Sequence, residues 1–143
     1  MANIHATRGI ALSHIKYSET SVVASIFTEA FGRQSYMING IRKRGKKRSG
    51  HMALLQPFSL LKMQVYHKPQ SQIQRIKEMQ LDQPLQSVHF KTHKQTVAMF
   101  LAEVLVRVMR EEEPDEQLFS FIYQFVHLFD LAEHSYASLH VIF

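Results

Sequence analysis

The stretch Leu61-Lys62-Met63-Gln64-Val65-Tyr66 alternates apolar residues with polar or amphipathic ones. A period of two is that of a β-strand with one buried face, because successive side chains of a strand point to opposite sides. The stretch therefore predicts a strand whose odd-numbered residues face a core. The fold of the surrounding sequence depends on which segments can pair with it.

Three short runs upstream have the composition of strands. They cover Arg8–Ile15, Ser21–Thr28 and Arg33–Asn39, and the second is rich in β-branched residues. A polar turn at Lys16–Thr20 and a break at Phe31-Gly32 separate them. Runs of this length divided by turn residues predict a meander of three strands.

The segment Ser71–Leu81, downstream of the alternating stretch, is ambiguous. Ile73 and Ile76 have helical spacing, whereas the position of the segment suggests a fifth strand, and we predict a strand. Between the third and fourth strands, Ala53-Leu54-Leu55 comes just before Pro57 and predicts one helical turn. Five short strands with a helical turn between the third and fourth are the element order of an OB-fold barrel.

The second part of the chain changes to helical periodicity. Apolar residues recur three and four apart at Val97, Phe100, Leu101, Val104, Leu105 and Val108. This spacing predicts a helix that ends at the acidic run 111–114. Its other side is also apolar, at Ala98, Met99, Val106 and Met109, so we expect it to be buried between neighbours.

Two further helices are predicted after the acidic run. Asp115 can cap a helix in which Leu118, Ile122, Phe125 and Phe129 recur at helical spacing. A third helix begins near Glu133, with Tyr136, Leu139 and Phe143 along one side, and the chain stops before its pattern is complete. We therefore expect a helical domain that is cut short.

Positive charge is concentrated in the first part of the chain. Residues 1–81 hold 13 Lys and Arg against 3 Asp and Glu, whereas residues 82–143 hold 4 against 9. Such an asymmetry indicates contact with nucleic acid or a membrane, and it places a boundary near Asp82-Gln83-Pro84. The predicted fold is α+β: a five-stranded OB-fold β-barrel in residues 1–82, followed by an incomplete α-helical domain in 83–143.

The densest charge lies in one short segment. Six of its seven residues are cationic: Arg42, Lys43, Arg44, Lys46, Lys47 and Arg48, with a single Gly among them. Side chains of this kind bind phosphates by releasing condensed counterions. A solvated loop without a partner is the alternative, but so many like charges in one loop repel one another. We therefore predict that the segment contacts DNA.

Aromatic side chains could supply stacking platforms for single-stranded DNA. Several lie in the basic part, and about half of the strand residues of a small barrel point inwards. Tyr36 and Tyr66 are the two for which we predict an outward position and a contact with DNA.

Several classes of site find no support in the sequence. The chain has no cysteine, so neither a disulfide framework nor a thiolate zinc site is expected. His89 and His93 are four residues apart but lack a carboxylate partner, and we predict no metal site and no cofactor. Neither a glycine-rich phosphate loop nor a catalytic constellation is present, so the chain is not expected to be an enzyme. Without a signal peptide or an apolar span, it is predicted to be cytoplasmic and nucleoid-associated.

A protein-interaction module is the alternative function. Its apolar helices would bind a partner peptide, while the basic segment would only steer acidic targets towards them.

Five segments between residues 7 and 58 follow one another in a specific order and spacing: Thr7-Arg8-Gly9-Ile10-Ala11-Leu12, Tyr17-Ser18-Glu19-Thr20-Ser21, Ile26-Phe27-Thr28-Glu29 with Phe31-Gly32-Arg33, Asn39-Gly40-Ile41-Arg42 and Ala53-Leu54-Leu55-Gln56-Pro57-Phe58. Together they resemble the RecO family of bacterial recombination and repair proteins. Beyond Asp82 the likeness lies mainly in the helical pattern, including Asp115-Glu116-Gln117-Leu118-Phe119.

The resemblance implies a barrel followed by a helical domain, in chains longer than this one. It also implies binding of single- and double-stranded DNA, annealing of complementary strands, and action with RecR and in many bacteria RecF. Family members assist RecA loading onto DNA coated by single-stranded-DNA-binding protein. By resemblance, Arg8, Arg33, Arg42 and the basic segment fall where the family's barrel presents positive charge to DNA.

Two departures from the family matter. Some members carry a cysteine zinc site in the later helical part, and this sequence has no cysteine. The family's contact with the acidic tail of single-stranded-DNA-binding protein lies largely in the helical domain, so a shortened chain could lack it.

Overall fold

The computed structural model describes residues 3–40, 52–109 and 113–132. They form the strands β1 (Asn3–Lys16), β2 (Val22–Thr28), β3 (Gly32–Ile38), β4 (Leu60–His67) and β5 (Ile73–Gln83), and the helices α1 (Thr92–Val108) and α2 (Glu116–Leu131). All five predicted strands are confirmed, including the ambiguous fifth. The helix predicted from Glu133 onwards lies outside the described residues.

The five strands close into a barrel in the order β1-β2-β3-β5-β4. The long β1 pairs with β2 through its second half and with β4 through its first half, both antiparallel. β4 and β5 are also antiparallel, whereas β3 and β5 run parallel. This topology confirms the predicted OB-fold barrel.

Alternation along the strands separates two apolar groups. The barrel interior holds one group: Ala11, Val22, Ala24, Ile26, Tyr36, Leu61, Met63 and Val65. Ile10, Leu12, Phe27 and Leu60 belong instead to a cluster that includes residues of both helices. The barrel and the helices therefore share a hydrophobic core. The division into residues 1–82 and 83–143 stays a prediction.

Gly9 lies where β1 passes from one partner strand to the other, since it pairs with both Thr28 and Leu61. A Cβ at this position would lie 2.8 Å from Ile26 Cγ2 and 2.9 Å from Met63 Cε. Atoms at these distances overlap, so a larger residue would force the barrel interior to shift.

Phe58 joins the barrel to the helices. Its ring is fully buried and meets the ring of Phe125 edge-on, with centroids 6.3 Å apart. Its φ of 69° is rare for a bulky residue, and its backbone N–H donates to the Ala11 carbonyl at 2.7 Å. Just before it, Leu55 N–H donates to Met52 C=O at 3.1 Å, which confirms the predicted helical turn.

The structure confirms the predicted start of α2 but not the predicted burial of α1. The Asp115 carboxylate accepts a hydrogen bond from Leu118 N–H at 3.0 Å, which confirms it as the cap of α2. The expectation that α1 is buried on both sides is wrong within the described residues, where Met99 and Phe100 are 58% and 62% exposed. Only one side of α1 packs against the barrel and α2 there. Neither described helix is long and apolar enough to cross a membrane.

A buried polar network holds the connection between β5 and α1 against the end of α2. The Asp130 carboxylate accepts hydrogen bonds from the backbone N–H groups of Gln86, Ser87 and Val88 at 2.8, 2.7 and 2.9 Å. Fully buried Lys94 donates to Ser87 Oγ at 2.7 Å and to the Asp130 carbonyl at 2.9 Å. Hydrogen bonds of this kind are needed because burying a charge without partners is costly.

Candidate nucleic-acid interface

The basic segment, Arg42 to Arg48, lies outside the described residues. Its predicted contact with DNA therefore stays a prediction. The described chain leading to it ends at Gly40, beside the β1–β2 turn, where Ser21 Oγ donates to Asn39 Oδ1 at 2.9 Å.

Arg8 lies between the barrel and α2. Its guanidinium donates to both carboxylate oxygens of Glu29, at 3.1 and 2.9 Å, and this contact raises the pKa of Arg8 and lowers that of Glu29. The guanidinium carbon is 4.6 Å from the ring centroid of Tyr123 and 5.4 Å from that of Phe119, both on α2. Through these contacts Arg8 connects the barrel with α2. Its predicted contact with DNA stays a prediction.

Arg33 is engaged in a similar way. Its Nε donates to the Met109 carbonyl at the end of α1, and its Nη1 lies 3.5 Å from Ser25 Oγ. The neighbouring Gly32 has a φ of +73°, and a Cβ there would collide with the backbone of Glu113. The motif Phe31-Gly32-Arg33 thus lets the β2–β3 turn pack against the segment between the helices.

The predicted outward position of Tyr36 is wrong. The side chain is fully buried inside the barrel, and burial raises the pKa of its phenol. Tyr36 pairs with Ala24 on β2 and with Gln74 on β5. Because the barrel closes, this side of β3 faces the interior, and the small Ala24 leaves room for the ring.

Tyr66 lies half-buried on the outer side of β4. Leu61, Met63 and Val65 point into the barrel, so Lys62, Gln64 and Tyr66 point away from it. The pairing of β4 with β5 adds a row of neighbours, in which Arg75 is opposite Tyr66, Glu78 is opposite Gln64 and Gln80 is opposite Lys62. We call this surface the β4–β5 face: Lys62, Gln64, Tyr66, Arg75, Lys77, Glu78 and Gln80.

A groove of about 400 Å³ lies on part of the β4–β5 face. It is lined by residues 62–64 of β4, residues 77–80 of β5 and Ala6 of the adjoining β1. Within the described ranges the ion pair is Arg8–Glu29, and the cations of the β4–β5 face form none. Their charge is therefore available for a ligand.

The predictions from sequence did not single out Lys62, Arg75 and Lys77, which the structure places together on this face. The signal for Lys62 was present, since it is a polar member of the alternating stretch and so lies opposite the core-facing residues. Arg75 and Lys77 could not be placed, because a break in the β4–β5 register between Gln64 and Val65 decides which β5 side chains join the face.

The histidine pair shows no sign of metal binding in the part of the chain described. His89 Nε2 donates to the Pro57 carbonyl at 2.8 Å, and burial lowers the pKa of His89. No three His, Asp or Glu side chains of the described ranges lie together as a metal site would require.

The fold and this surface define a class of protein: an OB-fold barrel that packs against helices and carries a cationic groove on the outer side of β4 and β5. Residues 1–85 match the family model described as Recombination protein O N terminal, and residues 89–143 match Recombination protein O C terminal. The chain belongs to the RecO family.

Individual relatives agree with this assignment. The chain is 32% identical over 140 residues to a protein of Bacteroides fragilis and 31% identical over 140 to one of Phocaeicola vulgatus, covering 98% of this chain and 57% of each relative. It is 34% identical over 116 residues to a protein of Flavobacterium johnsoniae, covering 81% of this chain and 48% of the relative. All three are named DNA repair protein RecO. The chain thus spans about half the length of these relatives.

Proposed function

We propose that this protein is a DNA-binding accessory of recombinational repair that binds single- and double-stranded DNA and promotes strand annealing. The observation that carries the proposal is an OB barrel of the RecO family with a strong excess of positive charge, 13 Lys and Arg against 3 Asp and Glu in residues 1–81. OB barrels commonly bind oligonucleotides.

The proposed mechanism is electrostatic. Cations on the barrel and in the 42–48 segment neutralise the phosphates of two strands and so lower the repulsion that opposes pairing. Lys62 and Lys77 of the β4–β5 face are suited to this role because the described structure gives them no carboxylate partner. Tyr66 would stack on a base.

Partners follow from the family likeness. We propose that the protein acts with RecR, and with RecF where that protein is present, to load RecA onto DNA coated by single-stranded-DNA-binding protein. Because the chain spans about half the length of its relatives, each of these contacts needs a test with this chain.

The test is a titration of a labelled oligo(dT) followed by fluorescence anisotropy at several salt concentrations. If about five phosphates are contacted, log K should fall against log salt with a slope of about −3.5. Replacing Lys46 and Lys47 by Ala should make that slope shallower by about 1.4, because each cation contributes about 0.7 on single strands.

The matched control is Lys91→Ala with Arg107→Ala. It removes the same charge from exposed positions of the helical part and should leave the slope as it was. Equal slopes for the unaltered chain and the Lys46/Lys47 variant would refute the role of the segment. Absence of oligonucleotide binding by the unaltered chain would refute the proposed function.

We propose no turnover chemistry. Nuclease activity would need carboxylates that hold a metal ion, and the basic part contains only Glu19, Glu29 and Glu78. Incubation of a labelled duplex with Mg²⁺ or Mn²⁺ tests this, and cleavage that follows the purified protein would contradict it.

Binding of a partner peptide by the helices is the second candidate. It is favoured by three exposed apolar side chains: Phe90, which comes just before α1, and Met99 and Phe100 in the middle of that helix. This function predicts partner binding that survives neutralisation of the 42–48 segment, together with negligible affinity for oligonucleotides. The anisotropy titration above separates the two candidates.

A further inference from the structure

We propose that single-stranded DNA crosses the barrel along the β4–β5 face, and not along the outer side of β2 and β3. The β2–β3 side, with the loops that flank it, is the one that OB-folds commonly use for oligonucleotides. The inference rests on the proposed function and specifies which surface performs it.

The outer side of β2 and β3 is poorly suited to phosphates in this protein. Within the described strands β2 and β3 the one cation is Arg33, which donates to the Met109 carbonyl and lies near Ser25. At the same end of these strands Phe27 is buried in the core shared with the helices. The helical part thus occupies one end of this side, and the rest of it offers neutral side chains.

The β4–β5 face has the opposite character. Lys62, Arg75 and Lys77 are exposed there against the single carboxylate of Glu78. The described structure gives these three cations no ion-pair partner. Charge complementarity therefore favours a polyanion on this part of the described barrel.

The shape of the face fits an extended chain. The groove of about 400 Å³ lies between β4 and β5 and the adjoining β1, and Ala6, one of its lining residues, occupies little of it with its methyl group. Gln64 and Gln80 supply neutral hydrogen-bonding groups between the cations. The ammonium and amide N–H groups of this lining can donate hydrogen bonds to sugar and phosphate oxygens.

Tyr66 gives the face its aromatic platform. It is half-buried, so part of the side chain remains open to solvent, and Arg75 is its register partner on β5. Bases stack on exposed aromatic rings of this kind without regard to sequence.

A pair of charge variants tests the track. Lys62→Gln with Lys77→Gln removes two cations from the β4–β5 face. Lys16→Gln with Lys68→Gln removes two cations from other positions, the end of β1 and the β4–β5 turn. Both positions are beside the β2–β3 side that OB-folds commonly use. The first variant should make the salt slope on oligo(dT) shallower by about 1.4 and weaken binding about 25-fold at 0.1 M salt if the binding curves meet at 1 M. The second should bind like the unaltered chain.

Single-tryptophan variants give an independent readout. The chain has no Trp, so Tyr66→Trp and Tyr17→Trp each introduce one reporter. Tyr17 is 64% exposed in the β1–β2 turn, which makes it the control for the commonly used surface. Stacking of bases should quench the fluorescence at position 66 and leave that at position 17 unchanged.

The outcomes separate the two proposals. Loss of affinity confined to the Lys62/Lys77 variant, together with quenching confined to position 66, supports the track. Loss confined to the Lys16/Lys68 variant, equal loss in both, or quenching at position 17 overturns it while the proposed function stands. Bound oligonucleotide with neither loss nor quenching also overturns it. No binding by the unaltered chain defeats the proposed function itself.

Discussion

The guanidinium of Arg8 lies over the ring of Tyr123, with 4.6 Å between the guanidinium carbon and the ring centroid. The same guanidinium is held by both oxygens of Glu29, and the Tyr123 hydroxyl donates to Asp82. β1, the end of β2, the end of β5 and α2 therefore meet at one point. An arginine that the family likeness assigns to DNA thus also joins the barrel to the helices.

Arg8→Lys should lower the free energy of unfolding by about 1 kcal/mol. Lysine keeps the charge but loses the planar fork that binds Glu29 and stacks on Tyr123, and an ion pair this exposed contributes little. Urea denaturation followed by circular dichroism measures the change. Because the charge is kept, affinity for oligo(dT) should stay the same; a variant of unchanged stability and weaker DNA binding would show that Arg8 acts on DNA.

Gly32→Ala should destabilise the chain by about 1 to 3 kcal/mol. The φ of +73° strains a residue with a side chain, and the added Cβ would collide with the Glu113 backbone. Thermal unfolding compares it with Ser35→Ala, a milder change on the same strand. Near-equal melting temperatures for these two variants would mean that the β2–β3 turn does not pack closely on the segment between the helices.

Asp130→Asn should remove part of the acid sensitivity of folding. Burial by itself raises the pKa of Asp130, but the N–H groups of Gln86, Ser87 and Val88 outweigh it and hold the pKa below its ordinary 3.8. A carboxyl group with a lowered pKa in the folded state stabilises the protein above about pH 4, and this contribution is lost as the pH falls through the folded pKa.

The measurement is the free energy of unfolding between pH 7 and pH 3. The Asn variant should be less stable by about 1 to 3 kcal/mol at pH 7 and should approach the unaltered chain at low pH. Glu29, whose pKa is also lowered, should contribute to the acid sensitivity that remains. A constant difference between the two proteins at every pH would contradict the assignment to Asp130.

Tyr123→Phe should reduce the loss of stability in alkali. Burial, helped by Asp82 and opposed by Arg8, raises the pKa of Tyr123 to about 12. A phenol whose pKa is raised in the folded state stabilises the protein fully below the unfolded value near 10, and the contribution disappears as the pH rises to about 12. Denaturation at pH 8, 10 and 11 should show a smaller fall for the variant, by about 1 kcal/mol at pH 11.

Tyr17→Phe is the matched control for this measurement, because its side chain is largely exposed. Burial also raises the pKa of Tyr36, so every variant should still lose some stability in alkali. The assignment fails if the Tyr123 and Tyr17 variants show the same dependence on pH.

The sequence by itself determined the elements and the sign of the charge. Alternation from Leu61 to Tyr66 gives a strand because a strand has two sides, and Asp115 begins a helix because its carboxylate satisfies a free N–H group. Both are local effects, so they can be read without knowing which segments meet. The fifth strand was ambiguous because Ile73 and Ile76 fit either period, and its pairing with β3 and β4 decided it.

Only the tertiary structure decided which side chains are available for binding. Closure of the barrel turned Tyr36 inwards, and the helices engaged Arg8 and Arg33, whereas pairing of β4 with β5 placed Lys62, Arg75 and Tyr66 on one outer surface. These outcomes depend on contacts between residues far apart in the chain. The residue type determines which groups a side chain can bind, but the fold determines whether contacts within the protein already occupy that side chain.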